Sequence, residues 1–469
     1  MGVVLLAACC AGRSPGRSAT SPAGFSESRW RYEVAADVGA QELRVSAWLD
    51  GDTEPELTLT AGAESYVRDV EAFGPHGWFA LEARKRSWFL PAAWHGECAV
   101  RYRVLLGDAA RAQGDTAVAR FSNGAIEAPP STWLLRPAVS RLGTPFRFHV
   151  TTAAGDSFVS GVFPSVGAPD TYEGFTDDHY QLAYAAFGKL RVHDAHDGKI
   201  RVAMLPGPTE GDAAIASWVD TSARAVEAFY GGFPVPHLLI LVRPTAGSSV
   251  GFGTTMGHSG AAIAIDAGAH TSAAEFRDDW VLVHEMVHTA LPDLEGPQHW
   301  LEEGLATYVE PIARHGVGLV TSEHVWAEWV RGMPNGLPAE GDRGLDRTPT
   351  WGRTYWGGAL FCLLADVEIR RRTTNARSLG DALRAVLAAG GSIAKSWPVS
   401  RILELGDAAT GAPVLQQLYE KMALTPVDVD LPDLWKRLGV VARGGAVSFD
   451  DSAPLATVRR GILGDEAAP

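Results

Sequence analysis

Between about residues 25 and 168 the apolar and polar positions alternate in short runs, RYEVAADV, QELRVSAWLD, ELTLTA, AVRYRVLL and FRFHVTT, separated by Gly, Asp and Pro. A period of two sends successive side chains to opposite faces of a strand, so this stretch predicts an all-β domain, most simply a sandwich. The Pro/Gly-rich GVFPSVGAPDTYEGF that closes it predicts a domain boundary.

Beyond that boundary the period changes. KLRVHD, KIRVAMLP and HLLILVRP read as strands, and AAIASWVDTSARAVEAFY, between the last two, reads as an amphipathic helix. GAAIAID predicts a further strand. SAAEFRDDWVLVHEMVHTALP predicts one helix, opened by Ser272 with Glu275 three residues on, the pattern of a capping box. From about 300 to 440 the chain is nearly all helical, including WLEEGLATYVEPIA, TYWGGALFCLLADVEIRRRT and SLGDALRAVLAAG. The chain contains no repeat of solenoid or propeller period. The predicted organisation is a multidomain α+β one: a leader and tether over 1–24, a β domain over 25–168, an α/β lobe over 169–315, and a helical lobe with the C-terminal tail over 316–469.

Composition narrows the function classes. At 469 residues, 46% hydrophobic and 20% charged, the chain is globular and long enough for several cores. A net charge of -14 argues against a nucleic-acid binder and gives no attraction to anionic lipid. The opening MGVVLLAACCAG is too short to span a bilayer, but its Leu6-Ala7-Ala8-Cys9 step is similar to the lipobox of bacterial lipoproteins. That likeness implies a cell-envelope protein whose one membrane contact is a lipid on Cys9. Cys98 and Cys362 fall in different predicted domains and have no metal-ligand spacing, so they read as unpaired buried thiols.

The candidate chemistry lies in VLVHEMVHTALPDLEGPQHWLEEGLATYVE, residues 281 to 310. On a helix, positions i and i+4 share a face, so His284 and His288 can aim two imidazoles at one ion, and Glu285, one step round, can reach a water beside it. Catalytic zinc sites characteristically combine three protein ligands with one open position. The metzincin pattern, with Gly three and a ligand His six residues after the second His, is excluded, because those positions hold Leu291 and Leu294. The second helix offers Glu303, with Glu302 and His299 as alternatives. The competing reading is a core helix with two satisfied histidines; the Glu-bearing second helix weighs against it. A Gly257-His258-Ser259-Gly260-Ala261 run superficially matches a nucleophile elbow, but a Gly/Ser-rich segment precedes it and a strand follows, the reverse of what an elbow needs.

HEMVH followed by WLEEGLATYVE resembles the gluzincin metallopeptidases, and TYWGGALFCLLADVEIRRRT is similar to a segment of the glycyl aminopeptidase family and, more distantly, of the aminopeptidase N family. The resemblance implies a thermolysin-like zinc peptidase domain with one Zn2+ on His284, His288 and Glu303. It further implies Glu285 as general base and Tyr355 as the phenol that holds the oxyanion, with Tyr308 as the competing tyrosine. Gly257, His258, Ser259 and Gly260 match the start of the edge strand that aligns substrate, with His258 a second oxyanion donor. Two departures stand out: Gly357 replaces the usual Lys, and Gly257 stands where those families carry the Glu that binds a substrate's free amino group. The expected partner is a peptide or protein substrate, with amino- and endopeptidase action both open. The alternative is a non-catalytic surface binding protein that retains the fold.

Overall fold

The computed structural model describes residues 29–465 apart from 50–54, 92–96, 140, 177–181, 210 and 295. The lipobox-like Cys9 and the tether therefore lie outside the described residues.

The alternating runs form the expected strands. Trp30–Ala36 and Leu43–Leu49 pair antiparallel, and each buries every second side chain, Trp30, Tyr32 and Val34 on one and Leu43, Val45, Ala47 and Leu49 on the other. They lie inside an eight-stranded sheet that packs with two four-stranded sheets around one apolar core. Phe148, Phe158, Phe187, Tyr172 and Trp133 meet there edge-to-face or stacked. The buried hydroxyl of Tyr32 donates to Leu135 O at 3.1 Å and that of Tyr102 to Trp133 O at 2.9 Å, so neither polar group is stranded.

The β architecture runs past the boundary expected at residue 168. Strand Ala168–Phe175 pairs with Pro145–Thr151, placing Tyr172 opposite Phe148, and Ala185–Gly188 joins one of the four-stranded sheets. The Pro/Gly-rich stretch is a hairpin turning at Gly167 (φ +77°), not a linker. Gly and Pro mark a turn in either case, which is why composition pointed the wrong way.

The next unit is a five-stranded sheet in the order Arg191–Ala195, Ile200–Met204, Leu238–Thr245, Ala262–Gly268, Val250–Met256. The three middle strands are parallel, and Leu238 to Val242 is buried without interruption, as a strand covered on both faces requires. Helix Asp212–Tyr230 makes the crossover, and Val250–Met256 is an antiparallel edge.

The single helix expected after GAAIAID is two, Ala273–Asp278 and Val281–His288. Ser272 and Glu275 form both bonds of the predicted capping box. The break falls at Asp279, whose carboxylate accepts from the amides of Val281 and Leu282 and from Trp218 Nε1, all at 3.0 Å. Asp279 thereby caps the second helix and pins it to the crossover helix. The helix expected through TYWGGAL is also divided, into a π-helical turn Gly352–Gly357 and the α-helix Gly358–Thr373. Cys98 and Cys362 are both buried and unpaired, as expected. Among the described residues no helix is long and apolar enough to cross a membrane.

Candidate metal centre

The short helix Val281–His288 carries His284 and His288 on one face, their ring centroids 5.0 Å apart. Helix His299–Gly316 lies against it and contributes Glu303 from its second turn. Glu303 Oε2 is 3.1 Å from His284 Nε2 and 3.7 Å from His288 Nε2. Among the described residues these three form the group able to hold a metal, with ligand atoms within 4.8 Å of one another.

The alternatives on the same helix also border the cavity but stand outside the ligand group. Glu302 accepts from the Leu294 amide at 2.8 Å and meets His299 Nδ1 at 3.1 Å, so its carboxylate serves the turn between the helices. The His299 side chain is 65% exposed. Tyr308, the competing tyrosine, is buried away from the cluster, donating to Asp366 Oδ2 at 3.0 Å and stacking on Trp329. Tyr355 instead stacks on His284, with centroids 6.3 Å apart and planes 24° from parallel. It arrives there because the two helices cross at glycines: a Cβ on Gly304 would lie 2.3 Å from Gly358 Cα.

Electrostatics bind the cluster together. Burial alone would raise the Glu303 carboxyl, but the imidazoles of His284 and His288 outweigh it and hold Glu303 well below the usual carboxylate range. Burial likewise opposes charge on His288, yet the hydrogen bond and charge of Glu303, helped by Glu285 and Glu302, push its pKa up to about 9. Burial, reinforced by the charges of Glu303 and Glu285, pushes the Tyr355 phenol up to about 12.

The cluster opens into a cavity of about 590 Å3 whose walls include Gly251 to Thr255, Trp280, Asp293, Glu302 and Ile393 as well as Glu285 and Tyr355. Here the structure corrects the expected substrate segment. Gly257, His258, Ser259 and Gly260 do not line this cavity. They follow the edge strand Val250–Met256 and lie in the junction with the β domain. The amides of His258 and Ser259 donate to Ile393 O and Ala394 O at 3.1 and 3.2 Å, and Ser259 Oγ donates to Phe175 O at 2.8 Å. A Cβ on Gly257 would come within 1.8 Å of Ile393 O, and one on Gly260 within 1.9 Å of Gly161 O, so these glycines allow backbones to meet. His258 Nε2 is 3.8 Å from Asp293 Oδ2.

The strand that borders the cavity is the preceding GFGTT. Thr255 Oγ1 lies 2.7 Å from Glu285 Oε2 and 2.9 Å from Glu285 O, a contact that sequence reasoning missed. Its one legible signal was the alternation Gly251-x-Gly253, since glycine inside a strand marks close approach by another group.

No family model matches the sequence, and no curated protein matches it. Solved structures resemble it in shape. An aminopeptidase N family protein from Idiomarina loihiensis superposes with a TM-score of 0.67 at 13% identity, over 88% of this chain and 78% of that one. An M1 zinc metallopeptidase from Deinococcus radiodurans gives 0.53 at 15% identity, over 85% of this chain and 95% of its own. A mutant of the latter, solved with a Tyr-Ser-Ala substrate, gives 0.52 at 15% identity. At these identities the likeness establishes the fold: a β domain followed by a peptidase-like α/β and helical unit, as in zinc metallopeptidases of the aminopeptidase N type.

Proposed function

We propose that this chain is a zinc-dependent metallopeptidase that hydrolyses peptide bonds. The observation that carries the reading is the convergence of His284, His288 and Glu303 at the wall of a cavity that also holds Glu285 and Tyr355. The donor set fits the ion. Bonds of about 2.0–2.1 Å in tetrahedral geometry put ligand atoms about 3.4 Å apart, and the observed 3.1 and 3.7 Å straddle that spacing. Two imidazoles and one carboxylate also form the donor set typical of hydrolytic zinc. When bound, zinc supplies Lewis-acid polarisation of the scissile carbonyl and of the attacking water.

The remaining work belongs to side chains. Glu285 accepts the proton from the attacking water and returns it to the leaving amine nitrogen. Tyr355, its phenol pushed up to about 12, stays protonated at neutral pH and donates to the oxygen on which charge develops. The edge strand Val250–Met256 offers its outer backbone groups to an extended peptide, the strand-addition mode of recognition. That the similarly folded Deinococcus enzyme was solved with a tripeptide supports a peptide substrate here.

The test is mass-spectrometric digestion of a mixed peptide library, free and N-acetylated, by the zinc-loaded protein. Wild type should cleave; Glu285→Gln should retain zinc and lose nearly all turnover, and His288→Ala should lose both. Cuts confined to free N-termini identify an aminopeptidase, and cuts that ignore acetylation an endopeptidase. Full turnover by Glu285→Gln would remove Glu285 as base. No cleavage by wild type would favour the binding-protein alternative.

A further inference from the structure

The edge strand does more than border the cavity. Residues two apart on a strand share a face, and on the face of Val250–Met256 turned to the motif helix stand Gly253 and Thr255. Both meet Glu285. Thr255 Oγ1 reaches Glu285 Oε2 at 2.7 Å and Glu285 O at 2.9 Å, while a Cβ on Gly253 would fall 2.7 Å from Glu285 Cγ and 3.0 Å from its Oε1. A hydroxyl has one proton to give, and the shorter contact, to a group ionised when it serves as base, is the stronger. The stem of Glu285 therefore lies in the gap left by the missing side chain of Gly253, with Oε2 tied down by Thr255 and Oε1 beside Gly253 at the cavity wall.

We infer that Thr255 is a positioning residue that fixes the carboxylate of Glu285 for proton transfer, with Gly253 providing the space in which it sits. The inference rests on the peptidase reading for its consequence, but not for its geometry. A carboxylate on a freely rotating stem is misplaced most of the time, and proton transfer requires it within hydrogen-bond reach of the water. A hydroxyl anchor on a sheet strand removes that freedom at one oxygen and leaves the lone pairs of the other for catalysis. Thr255 lies outside the convergent His284, His288 and Glu303 group, so its loss should leave metal binding intact.

Thr255→Val keeps the shape and deletes the donor; Thr255→Ser keeps the donor. In crystal structures of the zinc-loaded full chain, the Glu285 carboxylate should hold its place in wild type and Thr255→Ser and turn away in Thr255→Val, with zinc content equal in all three. On a peptide that wild type cleaves, kcat should fall about tenfold to a hundredfold in Thr255→Val, the loss expected when a hydrogen bond to an ionised group disappears. KM should change little, and Thr255→Ser should recover most of the rate. Gly253→Ala should displace Glu285 as well and lower kcat similarly. A Glu285 carboxylate unmoved in Thr255→Val overturns the inference whether or not the chain cleaves peptides, as does an undiminished kcat. Displacement of Glu285 in Thr255→Val together with an inert wild type would uphold the positioning role while refuting the peptidase reading.

Discussion

At the scale of single residues, His288 and Glu303 act as one unit. Each is buried enough to resist charge, and each is kept charged by the other, His288 pushed up to about 9 and Glu303 held down. In the metal-free protein at neutral pH, His288 therefore carries a proton where a metal would sit. A metal needs the neutral imidazole, so binding must expel that proton. Because the metal-free pKa lies above neutrality, affinity for zinc should climb as pH rises, by about tenfold per pH unit, until the pH reaches the His288 pKa of about 9. Calorimetric titration in buffers of different ionisation enthalpy should show about one proton released per zinc at neutral pH. A constant affinity across that window would mean that the pair does not hold the proton.

At the scale of elements, the centre depends on how two helices cross. Gly304, next to Glu303, meets Gly358, three residues beyond Tyr355, and there is no room for a methyl group between those backbones. Backbone cannot rotate aside as a flexible side chain can, so Gly304→Ala should cost about 1–3 kcal/mol by overpacking. It should also weaken zinc binding, because Glu303 moves with its helix. Gly316, at the end of the same helix, would meet nothing within 4 Å, so Gly316→Ala is the control that should leave both properties unchanged. Chemical denaturation and zinc titration of the two variants check this, and equal stability would show that the crossing can yield. The break at Asp279 belongs to the same scale. A caps-type residue before a run of apolar positions was present in RDDW, but the continuous apolar period across it favoured one long helix.

At the scale of the whole molecule, the chain carries a net charge of -14, and the lining of the site has the same sign. The cavity wall carries Glu285, Asp293, Glu302 and Glu303 with three histidines, and no Lys or Arg stands among its described residues. Exposed Phe252 and Trp280 add apolar faces at the same wall. Even with a bound divalent cation, such a surface repels carboxylates and favours neutral, aromatic or basic side chains. In the peptide library, Asp or Glu beside the scissile bond should lower the cleavage rate by about tenfold or more. Equal rates for acidic and aromatic peptides would show that the field of the cavity does not select.

What the sequence determined by itself was whatever depends on near neighbours along the chain. Alternation of period two produced the β domain, and the four-residue step from His284 to His288 placed two imidazoles on one helical face, since both follow from local backbone geometry. The order of β domain, α/β sheet and helices was legible for the same reason. Tertiary structure decided the rest. Glu302, Glu303 and His299 are equally available in one dimension; only the rotation of their helix, set by packing that includes the Gly304–Gly358 contact, turns Glu303 to the histidines. Tyr355 rather than Tyr308 reaches the cavity because Tyr308 spends its hydroxyl on Asp366 in the core. The stretch Gly257 to Gly260 went to the domain junction, and Thr255 to Glu285, because a strand's partners lie across space, where spacing along the chain carries no information about them.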